Sequence, residues 1–132
     1  METPVTLGYW NIRGILGEVC RLFLEYLEIP YLEHKYITMD DKIRWFEKEK
    51  PNLKTSFPNL PYLQDGSAII CESDAILFHL AEKKNRLDLF GLNNEERKDL
   101  FAIRGVLKVF IISLLQYLFL NKVLVRKKKR SS

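Results

Sequence analysis

The sequence predicts an α/β domain with the element order β-α-β-(α)-β-β-α, followed by a helical segment of a different character. Three observations predict it. A strand-like run of period two precedes a helix-like run near the start, a proline-shaped loop feeds a hairpin and a helix in the middle, and the helical pattern loses its polar face after Lys108. At 132 residues the chain has room for one domain with a real core and is too short for two ordinary ones.

Val5, Leu7 and Tyr9 alternate with Thr6 and Gly8, which suits a short interior strand. Trp10 to Gly14 reads as a loop. From about Leu16 to Leu27 the residues Val19, Leu22, Phe23, Tyr26 and Leu27 recur at three and four, predicting an amphipathic helix with Glu18, Arg21 and Glu25 mostly outward. Pro30 ends it, and Tyr31, Leu32, His34 and Tyr36 form a second strand at a distance that suits a parallel crossover. Asp40 to Lys50 is charged, with Ile43, Trp45 and Phe46 as its large apolar anchors, and reads as a short helix or irregular turn over the sheet edge.

Ser56 to Leu77 is the stretch around which the rest is organised. Pro58 and Pro61 enclose Asn59 and Leu60; each proline lacks an N–H and fixes φ, so this is a shaped loop. Pro61 stands directly before a strand, a place where a cis bond can turn the backbone of Leu60 toward an extended ligand. Tyr62 to Gln64 and Ala68 to Cys71, joined around Asp65-Gly66, predict a hairpin. The helix from about Ser73 to Lys84 puts Ala75, Ile76 and Leu80 inward, with His79 beside them. It opens with a hydroxyl and free N–H groups that attract carboxylate or phosphate. This order is thioredoxin-like and occupies 3–86, with a linker over 87–93.

The net charge of +4 is local: Arg126, Lys127, Lys128, Lys129 and Arg130 supply five charges in a row, and the remainder is close to neutral. The body therefore carries no nucleic-acid signature. Cys20 and Cys71 have no partner at metal or redox spacing, which favours reduced thiols and a cytoplasmic setting without a metal. No basic-then-apolar stretch at the start marks a signal peptide. The loop opening the first helix, Trp10 to Gly17, lacks a cysteine, which disfavours thioredoxin-type redox chemistry.

Four motifs resemble the N-terminal domain of cytosolic glutathione transferases, most closely the mu class. They are Leu7-Gly8-Tyr9-Trp10-Asn11-Ile12-Arg13-Gly14, Tyr36 to Met39 followed by Trp45, Phe57 to Leu63 with Asp65-Gly66, and Glu72-Ser73-Asp74-Ala75-Ile76-Leu77. The resemblance implies a glutathione-binding transferase, a homodimer in the cytoplasm, that acts on a small electrophile. It implies that Tyr9 donates a hydrogen bond to the glutathione sulfur, that Leu60 beside Pro61 pairs with the cysteinyl backbone, and that Asn59 lies next to it. It also implies that Ser73 receives the γ-glutamyl carboxylate and Glu72 the α-amino group. Trp10, Trp45, Arg44 and a lysine, Lys50 or Lys48, would hold the glycine end. Glu72 replaces the glutamine of the mu class, and the spacing from Trp45 to Phe57 is one residue longer than in that pattern.

The chemistry fits the assignment of Tyr9. A free thiol with pKa near about 8.5 is mostly protonated at neutral pH. A hydrogen bond to a charged acceptor is worth about 1.5 to 3 kcal/mol, and about 1.4 kcal/mol moves a pKa by one unit.

The resemblance fades after Asp99. Asn93 or Asn94, with Glu95 and Glu96, starts a helix of some length, expected over 94–125 before a basic tail at 126–132. A complete transferase adds a large all-helical domain here, and the mu-class aspartate of its first long helix has no counterpart, Val109 standing near that place. Val109 to Asn121 is 13 residues without a charge. The favoured reading is a transferase with its glutathione site present and its helical domain truncated. A non-catalytic glutathione-binding or dimerisation module is the alternative, and contact of the apolar helix with a membrane is a third, less favoured reading.

Overall fold

The computed structural model describes residues 3–130, with side chains through Tyr117. Its elements are β1 (Val5–Trp10), α1 (Ile15–Tyr26), β2 (Tyr31–Tyr36), α2 (Met39–Arg44), a π-helical turn (Trp45–Glu49) and α3 (Lys50–Asn52). They continue with β3 (Tyr62–Asp65), β4 (Ala68–Cys71), α4 (Ser73–Lys83), a 3₁₀ turn (Leu87–Phe90) and α5 (Asn94–Arg130). Two compact units result, one ending at Leu87 and one beginning at Asp88.

The first unit is the expected thioredoxin-like layout. Its four strands lie in the order β2-β1-β3-β4, with β2 parallel to β1 and the others antiparallel. Period two decides which residues share a face. Leu7 stands opposite Leu63, both fully buried, while Gly8 stands opposite Tyr62, which in turn faces Cys71. A Cβ at Gly8 would come within 2.1 Å of the Tyr62 ring, so the glycine is what lets that ring cross the sheet.

Helix α1 buries a different stripe from the one its large residues predict. Gly17, Cys20 and Leu24, with Leu27 just beyond, face inward, and Val19, Leu22 and Tyr26 are exposed. The reason is close approach at the start of the helix: a Cβ on Gly17 would sit 2.0 Å from the Tyr9 ring, so no side chain fits at that position. Arg21 is also not outward. It pairs with Glu33 of β2 at 2.5 Å and with Glu18 at 3.0 Å, and its side chain is largely covered.

The charged stretch after β2 folds as α2, the π-helical turn and α3 in succession. Thr38 starts it with a capping box: its Oγ1 accepts from the Asp41 N–H at 3.1 Å, and the Asp41 carboxylate accepts from the N–H groups of Ile37 and Thr38 at 2.9 Å. Trp45 then enters the core, its ring 5.4 Å from Tyr36 and stacked 6.1 Å from Tyr62.

Helix α4 packs on α1 and buries Ile76, Leu77, Leu80 and Ala81; Ala75, expected inward, is exposed. His79 is half-buried and meets the Asp65 carboxylate at 2.9 Å, and Lys83 closes on the same carboxylate at 3.0 Å. In the second unit Asn93 is the cap, its side-chain oxygen accepting from the Glu95 and Glu96 N–H groups at 3.0 Å. Helix α5 then runs 37 residues. The side chains of the expected basic tail at 126–132 lie outside the described residues.

Candidate functional site

One end of the sheet gathers the candidate residues. Gly8 pairs with Tyr62, and Tyr62 with Cys71, so their chain neighbours come to the same end of the sheet: Tyr9 follows Gly8 in β1, Leu60 and Pro61 lead into β3, and Glu72 and Ser73 follow β4. Adjacent strands are about 4.8 Å apart, so the three groups lie within about 10 Å across two spacings, the reach of an extended tripeptide. Tyr9, Leu60, Tyr62 and Cys71 belong to one buried cluster with Tyr36 and Trp45.

Tyr9 is buried, with its phenol at the start of α1. Burial raises its pKa, opposed by hydrogen bonds from the Gly17 and Leu16 amides and by the charge of Arg21, whose guanidinium lies 6.0 Å from the ring. Gly17 and Leu16 sit in the first turn, where helix N–H groups have no partner within the helix. A phenol that accepts there and stays protonated keeps its O–H for an outside acceptor. The Leu60–Pro61 bond is cis and Pro61 is fully buried.

Ser73 is buried at the first position of α4 and is not the cap; Glu72 is, with φ at +71°. A non-glycine residue there carries strain of about 1–3 kcal/mol. Ile15, at the start of α1, holds a φ of +63°. Asn59 reaches Glu72 at 3.5 Å through its side-chain amide.

The residues expected at the glycine end divide. Trp10 is half-buried against Tyr36 at 5.6 Å and Phe46 at 6.2 Å, and Lys50 places its ammonium 5.6 Å over that same Phe46. Arg44 is engaged by Asp41 and Glu49, both at 2.9 Å, and with the exposed Lys48 lines a cleft of about 260 Å³. Trp45 is 1% exposed and offers almost no surface. Trp10 lines a cleft of about 320 Å³ that adjoins, at Asn11 and Ile12, a charged cleft of about 660 Å³ with Arg13, Glu18, Arg21, Glu33 and Lys35.

Two further groups lie beyond what spacing reveals. The Tyr36 hydroxyl donates to Glu49, Tyr62 bonds to Tyr36, and the Tyr62 hydroxyl meets His34 at 3.1 Å. Burial, with Glu49 beside it, raises the Tyr36 pKa. Both cysteines are buried and free; burial pushes the Cys20 thiol up to about 12 and raises that of Cys71 against the pull of the Asn59 amide. Among the described residues no cluster of His, Cys, Asp and Glu could hold a metal ion.

Known proteins share this arrangement in part. The family described as "Glutathione S-transferase, N-terminal domain" matches residues 5–82. Glutathione S-transferase Mu 6 of Mus musculus is 49% identical over 98 residues, covering 71% of this chain and 43% of that protein. A glutathione S-transferase of Mesocricetus auratus is 50% identical over the same share. The chain thus spans less than half the length of these relatives. Among solved structures, the glutathione S-transferase from Ascaris lumbricoides superimposes with a TM-score of 0.62 at 27% identity, over 83% of this chain and 48% of that one. The structure of rat hPGDS complexed with a quinoline does so with a TM-score of 0.63 at 29% identity, over 83% of this chain and 50% of that one.

Proposed function

Because this chain belongs to the glutathione S-transferase family, we propose that it binds glutathione across the sheet end formed by Tyr9, Leu60 and Ser73 and activates the thiol for conjugation to an electrophile. The observation that supports this reading is the strand register, in which Gly8, Tyr62 and Cys71, the chain neighbours of Tyr9, of the Leu60–Pro61 loop and of Glu72–Ser73, pair across three adjacent strands. The ligand's cysteinyl backbone pairs with Leu60. Its γ-glutamyl carboxylate lies on the first turn of α4 at Ser73, where N–H groups and the positive helix end favour an anion. Glu72, held beside Asn59, takes the α-amino group.

Tyr9 acts on the sulfur. Its phenol, protonated and backed by amides, donates to the thiolate more strongly than to the thiol, so ionisation becomes easier. One such bond of about 1.5 to 3 kcal/mol lowers the thiol pKa by about one to two units and makes the thiolate the major form near neutral pH. The glycine carboxylate runs toward Trp10. Lys50 is the better placed of the two lysines, since Phe46 links it to Trp10, and Arg44 adds a more distant charge already shared with two carboxylates. The electrophile approaches from outside this half. Turnover is expected to be weak, and the family reading implies a cytoplasmic homodimer.

Retention on glutathione-agarose with elution by free glutathione tests the site. The chain is expected to be retained, and Ser73→Ala to lose most of that retention. Tyr9→Phe should leave retention nearly unchanged while raising the pKa of the bound thiol by about one to two units, followed by thiolate absorbance against pH. An unchanged thiol pKa removes Tyr9 from the role given to it.

A further inference from the structure

Helix α5 carries apolar side chains on every side. At about 100° per residue, Phe101, Ile103, Val106, Leu107, Val109 and Leu115 leave no sector wider than a quarter turn uncovered, and all six are exposed. Within Asn94–Tyr117 the helix is long and apolar enough to cross a membrane, and none of that window is buried. The charged run Glu95 to Asp99 lies outside the apolar shaft, whose 18 residues rise about 27 Å, close to a hydrocarbon core of about 30 Å. A helix that is apolar all round needs an environment that is apolar all round.

Charge identifies that environment. After Asp99 the sequence contains eight basic residues and no acidic one, and five of the eight follow the apolar stretch in a row. A second copy lying parallel would bring like charge against like charge, and in either orientation a single partner helix covers only one side. An anionic lipid surface answers both demands, since acyl chains surround the apolar shaft and acidic headgroups meet the cations.

We propose that α5 inserts into an anionic lipid bilayer and thereby holds the sheet unit at a membrane. The inference is independent of the glutathione site. The full chain, purified in detergent, is mixed with vesicles of phosphatidylcholine alone or with phosphatidylserine, and flotation is measured before and after washing with high salt and alkaline carbonate. The chain is expected to float with the phosphatidylserine vesicles and to resist both washes.

Phe110→Asp places a carboxylate in the apolar shaft and should lower partitioning by about 100-fold. The triple change Lys127→Gln, Lys128→Gln, Lys129→Gln should lower it by on the order of fivefold per residue. Both variants should keep their β-sheet circular dichroism. Failure to float with either vesicle, release by salt or carbonate, or a discrete soluble oligomer that ignores vesicles would each overturn the proposal. Unchanged partitioning of Phe110→Asp would do the same.

Discussion

The two units use the same kinds of side chain to opposite ends. In the sheet unit Leu7, Leu24, Leu63, Ile76 and Leu80 lose essentially all contact with water, because strands and helices supply each other with covering faces. In α5, leucines, valines and phenylalanines of equal hydrophobicity stay exposed, for example Val106 at 71%. Apolar content is therefore not what makes a core. A core needs a second surface, and among the described residues the apolar side chains of α5 have none over them.

The sharpest way to break this contrast is a pair of truncations. Leu63→Ala should cost about 2–5 kcal/mol of stability, whereas Leu107→Ala should change it by less than about 0.5 kcal/mol. Urea midpoints of the two variants in detergent measure the difference, and equal losses would mean that α5 has a covering surface after all.

Gly17→Ala tests how closely the sheet unit is packed at its functional end. The added methyl meets the Tyr9 ring at 2.0 Å, so a loss of about 1–3 kcal/mol is expected. The phenol must move with the ring, and the bound thiol pKa should rise as it does in Tyr9→Phe. A variant with unchanged stability and thiol pKa would show that the ring has room to yield.

The smallest expected effect lies at the edge of the hairpin. Burial acts to raise the Asp65 pKa, but hydrogen bonds from His79 and Lys83 outweigh it and hold the carboxyl below its ordinary value. A lowered folded pKa adds stability above the unfolded value and loses it as pH falls through the folded one. Asp65→Asn should thus cost about 1 kcal/mol at neutral pH and progressively less in acid. Denaturant midpoints of both proteins across the acid range follow this, and a gap that widens in acid would reverse the sign.

Much of the sheet unit is legible in the sequence. Period two marks the strands, Asp65-Gly66 the hairpin, and the two prolines a loop whose second X-Pro bond is cis. The buried stripe of α1 is not, because its determinants Gly17 and Cys20 are small and the contacts that select them belong to Tyr9 on another element. For the same reason the Tyr36–Glu49–Tyr62–His34 network gives no local signal: its members pair across 13 and 28 positions. Trp45 reads as a ligand contact by motif, yet its neighbours make it a core residue. The long apolar run after Lys108 is plain in the sequence, whereas its all-round exposure emerges only from the fold.

The state of the two cysteines has a bearing on the proposed chemistry. A protein that presents electrophiles to a reactive sulfur risks alkylating itself. Cys20, enclosed and with its proton held up to about 12, and Cys71, enclosed beneath the Asn59 loop, are poor rivals for the same reagent. Under the proposed chemistry, both thiols among the described residues are thus shielded, and the sulfur that arrives with the ligand is the better nucleophile.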